Sequence, residues 1–229
     1  MKKVIVGVFM LAGAMMSFSG CSSSQISQKQ NPVQENLNPN QILEVLKSGN
    51  EHFVHHKNSF PHLDQARMNE EISGQHPIAT VISCSDSRVP VELVFDRGIG
   101  DLFVIRTAGN SLDDDMTMGS LEYAVYHLHT KLIVVVGHEK CGGITAAISN
   151  HSEGKEPKEI SSLIETLRKG VEPFVGNSQK LDEAIHYNVD HQIKKILENP
   201  EFKEMIEKGE LKIVGGYYHL NNGKVDFLN

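Results

Sequence analysis

Apolar residues fall at two spacings along the chain, and the two alternate. Ile42, Val45, Leu46 and Phe53 recur at helical spacing, which predicts a helix over 41–55 with Asn40 as its cap. A second short helix is expected over 62–72. Short apolar runs at 78–84, 102–106, 132–137 and 211–218 read as buried strands. Between them lie helical segments at 90–95, started by Pro90, at 116–129 and at 144–149. Three more follow at 159–167, 181–197 and 200–208, after a polar connection at 150–157. A turn at 221–224 leads to a closing strand at 225–228, which makes a hairpin with its predecessor. The alternation predicts an α/β fold: a mainly parallel sheet with an added antiparallel edge strand, flanked by helices.

The ends of two of these strands carry chemistry. Cys84-Ser85-Asp86-Ser87-Arg88 closes the first strand, and His138-Glu139-Lys140-Cys141-Gly142-Gly143 closes the third. Open α/β sheets place ligands at such strand ends. Cys84, His138 and Cys141 offer two thiolates and one imidazole, a donor set suited to zinc. A structural zinc is closed by four protein ligands; three leave a position for water, as in a catalytic site. A disulfide between Cys84 and Cys141 is the competing reading in an oxidising compartment. Asp86 and Arg88 alternate along an extended segment and so face the same side. They can form a structural ion pair, or a fixed, ionised carboxylate beside the metal. Thr107-Ala108-Gly109-Asn110 is a loop of small residues where backbone can approach a ligand.

Charge and composition narrow the function classes. The 229 residues suffice for one domain with a full core, and 39% hydrophobic content is ordinary for a globular chain. The formal charge is −7. Without residues 1–20, which hold two lysines and no acid, it is 20 basic against 29 acidic residues, or −9. That balance argues against a nucleic-acid partner.

The N-terminus reads as a targeting segment. Met1-Lys2-Lys3 precedes an uncharged apolar run over 4–16, followed by Phe18-Ser19-Gly20-Cys21. The cysteine after small residues resembles the lipobox of bacterial lipoproteins, with Phe18 where leucine is usual. That resemblance implies cleavage before Cys21, lipidation of Cys21 and, with Ser22 next, sorting to the periplasmic side of the outer membrane. A soluble periplasmic protein is the alternative. Residues 21–39, rich in Ser, Gln, Asn and Pro, read as a flexible tether. The expected organisation is a signal peptide over 1–20, a tether over 21–39 and a folded domain over 40–229. The lipid is then the only expected membrane contact.

Cys-x-Asp-x-Arg followed by His-x-x-Cys-Gly-Gly resembles the β-class carbonic anhydrases, from about Gln41 to the C-terminus. The resemblance includes Gln75, the 102–110 block, Glu122-Tyr123-Ala124-Val125 and Gly216-Tyr217-Tyr218. It implies that Cys84, His138 and Cys141 hold one zinc ion per subunit and that Asp86 and Arg88 form the catalytic dyad. It further implies that Gln75, Phe103 and Tyr123 are substrate-pocket residues of the plant-like branch, and that Val89, Ala108 and Gly109 line the metal site. The implied activity is reversible hydration of carbon dioxide to bicarbonate and a proton, by zinc-generated hydroxide that the dyad orients. The implied assembly is a homodimer or a higher homo-oligomer, its pocket shared between subunits. Relatives on the scaffold that hydrolyse carbonyl sulfide or carbon disulfide give one alternative; a catalytically silent zinc-binding lipoprotein gives another. The chain has no tryptophan, so the inhibitory bicarbonate site of a second branch is not expected in its usual form.

Overall fold

The computed structural model describes residues 37–149 and 156–228. The expected signal peptide, Cys21, the tether up to residue 36 and the connection at 150–155 lie outside them.

Five strands form one sheet in the order β2-β1-β3-β4-β5. They are β1 (Ala79–Cys84), β2 (Leu102–Thr107), β3 (Leu132–His138), β4 (Lys212–Tyr218) and β5 (Val225–Leu228). The first four run parallel, and β5 is antiparallel to β4. This is the mainly parallel sheet with an antiparallel edge that the alternation predicts. β1 and β3 are buried at every position, as parallel strands covered on both faces must be.

The period of two divides the strands between two cores. Ala79, Val81, Leu132, Val134 and Val136 pack with Ile42, Leu43 and Leu46 of α1 (Pro39–Val54) and Val91 and Val94 of α3 (Val91–Val94). Ile82, Ile133 and Val135 point the other way. They meet Leu121 and Val125 of α4 (Asp115–Tyr126), Val189 and Ile196 of α7 (Leu181–Ile196) and Phe202 of α8 (Pro200–Glu207). A third cluster joins Cys84 and Cys141 to α5 (Gly142–Ile148), Leu167 of α6 (Lys158–Gly170) and Ile185 of α7.

Several element ends differ from the pattern, each for a local reason. The cap of α1 is Asn38 rather than Asn40. Its side chain accepts the N–H groups of Asn40 and Gln41, and Gln41 Oε1 accepts the Asn38 N–H. Pro39 then occupies the first helical turn, where its missing N–H costs nothing. The expected helix over 62–72 shrinks to α2 (Gln65–Glu70), capped by Asp64, with a 3₁₀ turn over Glu71–Ser73. His62 has φ 56° and bonds Asp101, so it lies outside the helix. The fourth helix stops at Tyr126 and the sixth runs on to Gly170.

Two buried polar residues tie the loops to this frame. Asn50 of α1 donates to the carbonyls of Val94 and Gly223 and accepts the Val225 N–H, linking α1 to α3 and to the hairpin. Asp96 follows α3 at φ 48° and is 1% exposed. Its carboxylate accepts the Ser59 N–H and hydroxyl, the Phe60 N–H and His52 Nδ1–H. Burial raises the Asp96 pKa, but these donors outweigh it and hold the group at about 2, below the ordinary 3.8.

Because the folded value is depressed, the Asp96 contribution is fully present above about pH 3.8 and is lost as pH falls through about 2. Asp96→Asn keeps a residue that tolerates the left-handed backbone and removes the charge. It should cost about 2 kcal/mol at pH 7 and lose less stability than wild type between about pH 4 and pH 2. Urea unfolding across that range measures it; parallel curves for the two proteins would contradict the assignment.

Candidate metal centre

β1 ends at Cys84 and its neighbour β3 ends at His138, so parallel pairing of the two strands brings both residues to the C-terminal end of the sheet. Cys141 follows within a tight turn in which Lys140 takes φ 54°. That turn is held from β4: the Glu139 N–H donates to the Tyr218 carbonyl, and Glu139 Oε2 accepts the Leu220 N–H. Cys141 then opens α5. Cys84 Sγ, a His138 ring nitrogen and Cys141 Sγ all lie within 4.8 Å of one another. The residues are 5%, 0% and 1% exposed.

The ring of His138 has a defined role. Its Nδ1 lies 2.9 Å from the Glu139 carbonyl oxygen, which can only accept, so Nδ1 carries the hydrogen. Nε2 therefore keeps its lone pair. That atom is buried with no hydrogen-bond partner among the described residues. Metal-ligating histidines are oriented in this way, through a carbonyl on the far nitrogen.

Both cysteines are free, which removes the disulfide reading from this structure. The sulfurs share one proton. Cys141 donates toward Cys84 and draws its pKa down against the opposing effect of burial; the backbone N–H groups of Gly109 and Asp86 assist. The same contact, with burial, pushes Cys141 up. A divalent cation can replace that proton, ionise both sulfurs and satisfy Nε2. The donor set and the orphaned nitrogen fit zinc.

Asp86 and Arg88 form a two-point pair. Arg88 Nε donates to Oδ1 at 2.9 Å and Nη2 to Oδ2 at 2.7 Å, while the Arg88 N–H also donates to Oδ1. The Arg88 guanidinium holds the Asp86 carboxyl well below the usual carboxylate range, against a smaller effect of burial. Oδ2 lies 3.8 Å from His138 Nε2, so the carboxylate borders the ligand cluster.

The structure thus brings Cys84, His138, Cys141, Asp86 and Arg88 together. Gly109 joins them, its N–H donating to Cys84 Sγ at 3.4 Å. Ala108 opens the 3₁₀ turn that contains Gly109, and Val89 is buried in the α1–α3 core. Gln75, Phe103 and Tyr123 stand elsewhere in the chain. Gln75 is exposed and precedes the start of β1. Phe103 pairs with Thr80, whereas Cys84 pairs with Thr107. Four residues of strand separate those levels, about 13 Å. The exposed Tyr123 ring packs against Phe103 at 6.3 Å between centroids.

Sequence reasoning missed Arg106. Its Nη2 donates to the Asp86 carbonyl at 2.7 Å and its Nε to the Cys84 carbonyl at 3.1 Å, clamping the loop that carries both residues. The available signal was an arginine at the end of the strand expected to neighbour β1. The amides of Asn188 and Gln192, which hold Gly109 and Leu112 respectively from α7, gave no signal beyond being polar on an apolar helix face.

A family model described as carbonic anhydrase matches residues 79–225. Carbonic anhydrase 2 of Mycobacterium tuberculosis strain H37Rv is 35% identical over 194 residues, 82% of this chain and 92% of that protein. A carbonic anhydrase of Mycolicibacterium smegmatis is 34% identical over 197 residues, covering 83% and 94%. Among solved structures, one of two tetrameric β-carbonic anhydrases from Sordaria macrospora superposes with TM-score 0.62 at 28% identity, over 83% of this chain and 98% of that one. A β-carbonic anhydrase of Aspergillus fumigatus gives 0.64 at 26% identity, over 82% and 90%. Shared sequence across most of both lengths, a common fold and a zinc-type donor set at the strand ends agree: this chain belongs to the β class of the carbonic anhydrase family.

Proposed function

We propose that this chain catalyses the reversible hydration of carbon dioxide to bicarbonate and a proton, with one zinc ion per subunit held by Cys84, His138 and Cys141. The observation that carries the reading is the buried trio of two unbridged sulfurs and one orphaned nitrogen, bordered by a paired carboxylate. Bound there, zinc lowers the pKa of water toward neutrality and so supplies a nucleophile without a strong base.

The chain's own residues then have separable roles. Cys84 and Cys141 bind as thiolates, and the Glu139 carbonyl keeps His138 in the tautomer that binds through Nε2. Asp86 is held too acidic by Arg88 to serve as a proton store at neutral pH. Its role is acceptance: a fixed oxygen beside the cluster takes a hydrogen bond from the attacking water and turns the water's lone pair toward the substrate carbon. Arg88 fixes that carboxylate from both oxygens. Arg106 fixes the backbone beneath it. The relatives described above are all carbonic anhydrases, so carbonyl sulfide or carbon disulfide hydrolysis and a silent zinc protein gain no support.

Gln75, Phe103 and Tyr123 reach the site from a second subunit in this reading. Support comes from their position toward the opposite end of the sheet from Cys84. It comes also from exposed apolar residues, Ile72 and Met116 at 81% and 82%, on the elements that carry or flank them. The tetrameric relatives in Sordaria macrospora agree with an oligomer. The N-terminal lysines, the apolar run over 4–16 and Cys21 support lipidation and a place on the periplasmic side of the outer membrane, with a soluble periplasmic protein as the alternative.

Cys84→Ala should lose zinc and carbon dioxide hydration together. Asp86→Asn should retain zinc while kcat falls by about 10²-fold or more, since an orienting acceptor is lost. Stopped-flow assays with metal content measured on the same samples test both; wild-type kcat in Asp86→Asn would remove the orienting role. Mixing Gln75→Ala with Asp86→Asn under subunit exchange should restore activity, because one site of each hybrid dimer is then intact. No recovery despite proven hybrids would place Gln75 in the same subunit's site. Cys21→Ser should move the protein from the membrane to the soluble fraction; unchanged membrane partitioning would end the lipoprotein reading.

A further inference from the structure

Two amides sit on the buried face of α7 where apolar residues would be expected. Asn188 is 1% exposed and Gln192 is 0% exposed, on the same face as Ile185, Val189 and Ile196. Buried amides cost stability unless they are bonded, so their partners explain their presence. Gln192 Oε1 accepts the Leu112 N–H, and its Nε2 donates to Asp113 and to Asn188 Oδ1. Asn188 Nδ2 donates to the Gly109 carbonyl at 2.9 Å. Gly109 in turn donates its N–H to Cys84 Sγ.

Gly109 is a point where direction must be imposed. At φ 69° it lies in the left-handed region, which glycine adopts without the steric cost a Cβ brings. A Cβ there would meet Leu167 Cδ2 at 2.7 Å, and one on Gly143 would meet the Gly109 nitrogen at 3.3 Å. The turn is thus packed from α5 and α6, and its carbonyl is tied from α7.

We infer that Asn188 is a positioning residue for the metal centre: by holding the Gly109 carbonyl it aims the Gly109 N–H at the Cys84 sulfur. An N–H donated to a ligating sulfur stabilises its lone pair and tempers the charge it gives to a metal. Asn188 touches neither metal nor substrate and acts only through the glycine. This inference rests on the reading that Cys84 is a metal ligand.

The test uses full-length protein with cobalt(II) in place of zinc, followed through the sulfur-to-cobalt charge-transfer band. Asn188→Leu keeps the volume and loses the donor; Asn188→Ala removes the side chain and decides the matter if the first variant does not fold. The band should move to longer wavelength in the Asn188 variants, because the sulfur lone pair loses its donor. Asn50→Ala removes a buried amide remote from the metal centre, bonded to Val94, Gly223 and Val225; it should lower the melting temperature and leave the band in place. A wild-type band in the Asn188 variants, or an equal shift in Asn50→Ala, overturns the positioning role while the metal assignment stands. Absence of any such band in wild-type protein overturns both.

Discussion

Two buried sulfurs in contact cannot both carry a negative charge unless a cation lies between them. Cys84 and Cys141 are in that position, with the Nε2 lone pair of His138 directed into the same space. Without a cation the pair keeps one proton, one thiol depressed and the other raised. A divalent ion bound there would be held by all three donors at once and would supply an activated water for the chemistry. Much of the architecture serves this one requirement. Adjacent parallel strands β1 and β3 finish at the same end of the sheet, so Cys84 and His138 arrive there as a consequence of strand pairing.

The neighbouring carboxylate illustrates how charge is placed without being neutralised. Asp86 lies beside two sulfurs that become anionic, which by itself would favour its protonation. The two-point contact with Arg88 prevents that. The half-exposed guanidinium and the buried ligands therefore divide the work. One side of Asp86 faces a permanent cation, and the other side remains available as an acceptor. Arg106, on the edge strand, braces the same loop through its carbonyls.

Much of this was legible in the sequence because it rests on local pattern. Strand runs such as Ile133 to Val136 are apolar on both faces, a pattern that a doubly covered parallel strand requires. Cys84, Asp86, Arg88, His138 and Cys141 lie within short segments, and backbone geometry alone places them together once the strands pair. What escaped is one local choice of cap and several residues that depend on distant contacts. Asn38 caps the first helix because Pro39 and Gln41 follow it, although the apolar stripe begins only at Ile42. Asn50, Asp96 and Asn188 read as ordinary polar residues until the loops they hold are brought to them. Gln75, Phe103 and Tyr123 are legible only through resemblance, since one chain does not carry them to the ligand cluster.

The central claim is that a single zinc ion on the Cys84–His138–Cys141 trio makes the site competent. It is tested most directly by stripping the metal with a chelator, restoring zinc in steps and following carbon dioxide hydration alongside bound metal. Activity should rise in proportion to zinc and level off at one ion per chain. Hydration that persists in metal-free protein, or that stays absent once one zinc per chain is bound, would contradict it.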